Sequence, residues 1–323
     1  MKTTSRILEL DALRGLAAVA VVLFHYFIKY NQEYTNSSNI IDPLVYGQYG
    51  VHLFFMISGY VIFMTVDKTD SWLKFARLRF SRLFPTYWSA IIITFIIVSI
   101  FGLAGREISW KAFLFNFSML QELFTIPHVD GAYWSLLPEL MFYILMGVLI
   151  RFNLVKHIRL VNVLWLGLIL VNQFIEIPEL IRQIFNLKCG ALFIVGVQFY
   201  LIKHHTRHWD VIILIGAYLL SYFTVPNHIA FAIITSFFLI FIGFHFGLLK
   251  FLKFKPLLYL GAISYPLYLV HQNIGYVVMN LLEIPVWLET TLVIILSLGL
   301  SSLIHFFIEK PSLQYLRNRF KTK

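Results

Sequence analysis

Charge is scarce in this chain. Only 13% of its 323 residues are Asp, Glu, Lys or Arg, against about 25% in an ordinary soluble domain. That shortfall excludes a water-exposed globule. Cysteine is nearly absent: Cys189 stands alone, so no internal disulfide framework is available. Acidic residues number 16 against 26 basic ones. A net charge of +10 would suggest nucleic acid in a soluble protein. Here the basic residues fall between apolar runs, and positive-inside topology accounts for them, with no nucleic-acid partner expected. A Walker A sequence, G-x-G-x-x-G and G-x-S-x-G are also missing, so ATP hydrolysis, a Rossmann-bound dinucleotide and a nucleophile-elbow serine lose support. Low-complexity tracts and a clear internal repeat are lacking too. Leu10 to Lys29 is too long for the h-region of a cleavable signal and holds Arg14.

What is present is hydrophobic length. Residues of the AVILMFWYC set make up 59% of the chain. Runs of about 20 residues, enough to cross a bilayer, occur near 10–29, 48–66, 87–105, 133–151, 158–176, 187–203, 209–225, 228–249, 257–279 and 287–308. This predicts an all-α, polytopic integral membrane protein with about ten transmembrane helices and both termini cytoplasmic. One membrane domain over 1–323 is expected, with no appended soluble domain. Trp110 to Phe124 reads as a re-entrant or interfacial helix. With the N-terminus inside, inner segments collect 20 of the 26 basic residues, from Lys2 and Arg6 to Lys323. Outer segments hold Lys29, Arg106, Lys111, Arg182 and Lys188, and Arg14 lies within the first span. This asymmetry supports the count.

Ionisable side chains at membrane depth are costly and mark functional paths. The first span carries Arg14 and His25, eleven residues apart. Eleven residues is close to a whole number of turns, so the two share a face about 16 Å apart along the axis. The assigned spans put His25, His271 and Glu139 all in the outer half of the bilayer, where they could form one site. A neutral imidazole can take a proton from a hydroxyl. Glu139 could orient that ring or stabilise its cation. General-base help of this kind contributes about 10²–10⁴-fold in rate. Plainer readings stand beside these. His245 and His305 suit simple hydrogen-bond satisfaction, Glu139 could be a structural partner, and His271 could cap an interhelical network. Arg14 could snorkel to the inner interface.

The second inner loop reads SWLKFARLRFSRLFPTYW, with Arg77, Arg79 and Arg82 close together. Arg79 and Arg82 would share a face on a helical turn. They could grip phosphates bidentately or bind lipid headgroups. Tyr87 and Trp88 suit an interfacial belt. His204, His205 and His208 lie in a basic loop with only Asp210 as an acidic neighbour, so no metal is expected there.

The motifs LDALRGLAAVAVVLFH, YGVHLFFMISGY, RFSRLFPTYW, WSLLPELMFY, LGAISYPLYLVHQ and FFIEKP occur in this order. Together they resemble the membrane acyltransferase 3 family, over nearly the whole length. Members of that family commonly O-acetylate bacterial surface glycans. The resemblance implies an acyl-CoA donor, acetyl-CoA foremost, taken from the cytoplasm, with no permanently bound cofactor. It implies an acceptor hydroxyl at the outer face of the bacterial cytoplasmic membrane, on a glycan such as lipopolysaccharide or on a lipid-linked glycan. Arg14 and His25 match essential family residues, and the arginines after the second span match those proposed to hold CoA. Glu139 matches a recurrent polar member. The polar members Ser58, Tyr60, Trp134, Ser135, Ser264, Tyr265, Tyr268 and His271 are further site candidates. Two departures stand out. Leu140 follows Glu139 where relatives often carry a second acid, and Leu78 separates Arg77 from Arg79, which leaves open which of the two takes the CoA role. The hydrolase-like domain that many relatives append is not expected in this chain.

The resulting expectation is an O-acyltransferase in which Arg14, with Arg77, Arg79 or Arg82, holds the CoA phosphates. His25 either deprotonates the acceptor hydroxyl or becomes acylated itself. The rival reading is a transporter or flippase of a lipid-linked sugar or amphiphile, for which the same buried groups would serve. An assembly scaffold gives no reason for buried charge. Aromatic side chains at Trp110, Phe113, Phe115, Tyr133 and Trp134 could stack on sugars or anchor at the interface.

Overall fold

Backbone polar groups immersed in lipid must be satisfied within their own segment, and this chain meets that demand with helices. A computed structural model describes residues 7–35, 42–282 and 284–321. Every regular element among the described residues is helical. Lys2, Arg6 and Lys323, counted above as inner-face charges, lie outside the described residues.

Helix α1 (Leu8–Phe24) continues into π-helical turns at His25–Lys29 and Asn31–Thr35. Then come α2 (Gly50–Val66), α3 (Trp72–Phe101), α4 (Trp110–Asn116), α5 (Leu136–Arg151), α6 (Ile158–Val171) and α7 (Glu179–Ile184). The chain continues through α8 (Gly190–His204), α9 (His208–Leu220), α10 (His228–His245), α11 (Lys255–Val270), α12 (Gln272–Leu281), α13 (Val286–Ile304) and α14 (Lys310–Lys321).

Among the described residues six stretches are long and apolar enough to cross a membrane: Leu8–Thr35, Pro43–Val66, Trp72–Phe101, Gly131–Arg151, His228–His245 and Trp287–Leu316. The other four expected spans take a different form. Helix α6 has 14 residues and α8 has 15. Helix α9 runs on as a 3-10 turn to Thr224, and the 257–279 region divides into α11 and α12 at His271. A 14-residue helix is about 21 Å long, short of a hydrocarbon core of about 30 Å. Counting apolar residues overstates helix length because turns are apolar here as well. The 187–203 run, for example, includes Leu187, Lys188 and Cys189, all before α8.

Two segments differ from the sequence reading. The arginine-bearing stretch is not a loop but the first turns of α3, which passes through Pro85 without ending. Proline removes one i→i−4 bond, and the flanking turns carry the helix across that gap. Trp110 to Phe124 is not one helix. It is the seven-residue α4, a turn, and a 3-10 turn at Gln121–Phe124. It leans on the later part of α3, with Phe95 stacked on Phe113 at 4.0 Å and the Tyr87 hydroxyl donating to Asn116 O at 2.9 Å.

The chain divides into two compact units. The first comprises residues 1–10, 51–76 and 138–254. Its centre is α8, buried at every position from Gly190 to Leu201. There α2 and α8 touch backbone to backbone at Gly59 and Gly196, and the rings of Phe55 and Phe142 pack on Phe193. The second unit comprises residues 11–50, 77–137 and 255–323. Its equivalent seam joins α1 and α11. A Cβ on Gly15 would strike the backbone of Leu260 and Gly261, and one on Gly261 would strike the Asp11 carbonyl. Small residues at such crossings let membrane helices approach closely.

Candidate active site

The two helices of the second unit's seam run parallel. Ten residues beyond Gly15 is His25, and ten residues beyond Gly261 is His271. The backbones touch at the glycines, and the two imidazoles meet about 15 Å further along. Their ring centroids are 4.8 Å apart at 74°, and His271 Nε2 is 3.2 Å from His25 Nδ1. His271 is fully buried, while His25 keeps partial exposure. His25 opens a π-helical turn, an irregularity frequent at functional sites; its carbonyl accepts the Tyr30 amide and, at 3.3 Å, the Tyr276 hydroxyl.

The break at His271 is made by side chains. A continued helix would give the carbonyls of Tyr268 and Leu269 to the amides of Gln272 and Asn273. Instead Tyr268 O accepts the His271 ring at 2.9 Å, Leu269 O accepts the Tyr133 hydroxyl at 3.0 Å, and Asn273 N–H donates to Asp130 Oδ2 at 2.9 Å. Interrupted backbone within a membrane is tolerated where protein groups satisfy it in this way. The grip continues on both sides. The Tyr26 hydroxyl donates to His271 O at 2.7 Å, and the Tyr268 hydroxyl donates to Ala132 O at 2.8 Å, with Ser135 Oγ 2.7 Å away. Asp130 is fully buried and also accepts the Ala132 amide at 2.9 Å. Burial pushes its carboxyl up to about 6, opposed by those two amides and by the charge of Arg106. Arg106 in turn donates to Glu33, which also pairs with Lys29 at 3.0 Å.

The hydrogen bonds fix the tautomers. His271 Nδ1 faces two carbonyls, Leu267 O at 3.2 Å and Tyr268 O at 2.9 Å. Carbonyls only accept, so Nδ1 carries the proton and Nε2 is bare. His25 Nδ1 faces Val21 O at 2.8 Å as well as that bare nitrogen. It must carry a proton too, so His25 Nε2 presents a lone pair. Among the described residues it has no hydrogen-bond partner. A half-buried imidazole with a bare nitrogen can take a proton from a hydroxyl or attack a thioester itself.

The family profile described as "Acyltransferase domain" matches residues 7–306. The chain belongs to the acyltransferase 3 family. It is 27% identical over 360 aligned positions to "O-acetyltransferase OatA" of Staphylococcus aureus strain NCTC 8325, covering 94% of this chain and 56% of the relative. It is 26% identical over 192 positions to "Acyltransferase MdmB" of Streptomyces mycarofaciens, covering 55% of this chain and 47% of that protein. The chain spans about half the length of the curated relatives it matches. No solved structure matches it.

Of the residues singled out in the acyltransferase 3 motifs, the second unit brings together His25, His271, Tyr268 and Ser135. Trp134 is half-buried in the same 3-10 turn as Ser135. Ser264 donates to Gly261 O at 2.9 Å, a bond within its own helix, and Tyr265 donates to Leu83 O at 3.1 Å on α3. Arg14 stands on α1 three turns before His25, and Arg77, Arg79 and Arg82 are half-buried on α3. Glu139 belongs to the first unit. Its Oε1 accepts from Ser58 at 3.1 Å and from the Tyr143 hydroxyl at 2.7 Å. Tyr60, also there, has its hydroxyl 3.5 Å from His204 Nε2. His305 pairs with Glu309 at 2.7 Å. Tyr133, considered for sugar stacking, is fully buried and committed to Leu269 O, whereas Trp110 is 67% exposed. Sequence reasoning passed over Asp130, Tyr26 and the two glycines. The signal for the glycines was there: both histidine-bearing spans carry a glycine ten residues before the histidine.

Proposed function

We propose that this chain is a multi-pass O-acyltransferase of the bacterial cytoplasmic membrane. It moves an acyl group, acetyl foremost, from cytoplasmic acyl-CoA to a hydroxyl of a glycan or lipid-linked glycan at the outer face. The reading takes about ten passes with both ends inside. The observation that carries it is the bare Nε2 of His25, held ready within a family-matched sequence and on the same helix face as Arg14. The acetyl choice draws support from the name of the OatA relative.

Arg14 and the α3 arginines bind the CoA phosphates, a task suited to the guanidinium fork. His25 Nε2 takes the proton from the acceptor O–H as that oxygen attacks the thioester carbonyl. The C–O bond forms, the C–S bond breaks, and the proton passes from Nε2 to the departing thiolate. The products are an ester and free CoA, and no metal or redox partner enters the balance. Glu139, with Ser58, contributes a polar anchor in the first unit.

Membranes holding the full chain, given acetyl-CoA labelled in the acetyl group, test this directly. Label should pass to extractable glycan, and free CoA should appear in equal amount. A protein that leaves the thioester intact while moving a lipid-linked sugar across the bilayer is a transporter and overturns the reading.

A further inference from the structure

We infer that His271 is the positioning residue of this reaction: its bare Nε2 accepts the His25 Nδ1–H and holds the reactive ring in the one tautomer that leaves Nε2 open to the acceptor. The inference rests on the acyl-transfer reading for the reaction it serves, though not for the geometry. The break between α11 and α12 frees Tyr268 O, and that carbonyl draws the His271 proton to Nδ1. The Tyr26 hydroxyl and the Gly275 amide, at 3.0 Å, both grip His271 O. The backbone of His271 is therefore fixed, and its ring, bonded through Nδ1 to Tyr268 O and Leu267 O, has no proton at Nε2. At His25, Val21 O alone could hold Nδ1–H, but it lies on the same helix one turn back and moves with it. His271 comes from another helix and fixes the ring's direction independently.

An acidic residue is the usual orienter of a catalytic imidazole. Here a neutral acceptor fills that place, which avoids burying an uncompensated negative charge at membrane depth. When His25 takes the acceptor proton, its Nδ1–H already points at two acceptors. The ring need not turn before passing the proton on.

Two measurements decide the matter. The first is kinetic, on the full chain in lipid nanodiscs with labelled acetyl-CoA. His271→Leu removes the acceptor; His271→Gln keeps an oxygen near the place of Nε2. We expect His271→Leu to lose about 10²–10⁴-fold in kcat, with the KM for acetyl-CoA within twofold. His271→Gln should recover at least tenfold of that loss. Unchanged kcat in His271→Leu overturns the inference. So does an equal loss in both variants accompanied by a raised KM, which marks a merely structural residue. The second measurement needs no activity and covers a leucine variant that fails to fold. Nitrogen-15 NMR of histidine-labelled wild type, with His25→Ala assigning the signal, should show His25 protonated at Nδ1 and bare at Nε2. The opposite tautomer overturns the inference. Wild type that shows this tautomer yet transfers no acetyl overturns the functional reading instead.

Discussion

Two helix crossings in this protein are built alike and end differently. In the first unit α2 meets α8 at Gly59 and Gly196, and in the second α1 meets α11 at Gly15 and Gly261. In the first, the neighbouring turns are closed by hydrocarbon and rings: Phe55 on Phe193 at 5.1 Å, and Tyr60 against Tyr200 at 5.4 Å. Helix α8 stays unbroken along the contact. In the second, one partner helix breaks, frees backbone groups, and turns an imidazole toward another imidazole. Close approach through glycine is therefore only a packing device. What sets the second crossing apart is that the approach coincides with an interrupted hydrogen-bond ladder whose freed groups orient a side chain.

That contrast can be tested from the largest effect down. Replacing His25 with Ala should abolish label transfer, at least 10³-fold on the general-base scale, with expression and folding intact. An active His25→Ala protein would remove the second crossing's special status. Next come the glycines themselves. Gly261→Ala and Gly196→Ala each push a Cβ into a facing carbonyl, so each should destabilise by about 1–3 kcal/mol. Only Gly261→Ala should also lower kcat out of proportion, by about 10²-fold, because a misplacement of reacting groups by about 1 Å is that costly. Equal kcat per folded molecule in the two variants would erase the distinction.

A smaller effect concerns the clamp. The Asp130 carboxyl is raised by burial from 3.8 to about 6. The folded state therefore favours its protonated form. Its stability contribution is complete below pH 3.8 and is lost as pH rises through 6. The loss is about 3 kcal/mol at the usual conversion of 1.36 kcal/mol per unit. Thermal unfolding between pH 3.5 and 7.5 should show this trend against an Asp130→Asn reference, which should lack it. A wild-type curve parallel to the variant's would refute it. The smallest expected effect lies in the first unit. Ser58→Ala removes one of two donors to Glu139 and should cost about 1 kcal/mol with little change in kcat, read by thermal shift and label transfer together.

Much of this was legible in the sequence. Apolar run lengths gave the membrane class and the helical content. The eleven-residue spacing put Arg14 and His25 on one face, and the shared-depth argument singled out His271 beside His25. What the sequence reading could not see was which acid or base reaches His25. Shared depth and the family motif both offer Glu139 as an orienter, beside a neighbouring group or a purely structural role for it. Depth is one coordinate of three; within the first unit Glu139 Oε1 accepts from Ser58 and from the Tyr143 hydroxyl. By sequence the arginine stretch reads as a loop, because a proline and clustered charge are ordinary loop signals. A thirty-residue helix absorbs both when its flanking turns are well packed.

Composition and spacing alone determined that the chain is helical, lies in lipid, and carries a basic group and an imidazole on one helix face. These follow from solvation cost and helix geometry, which act locally. The tertiary structure decided that His271, held by Tyr26 at a helix break whose freed groups Tyr133 and Asp130 satisfy, stands against His25, and that one nitrogen of His25 is left bare. Those facts depend on backbones brought together from 246 residues apart in the chain, and no local rule along the sequence specifies such a meeting.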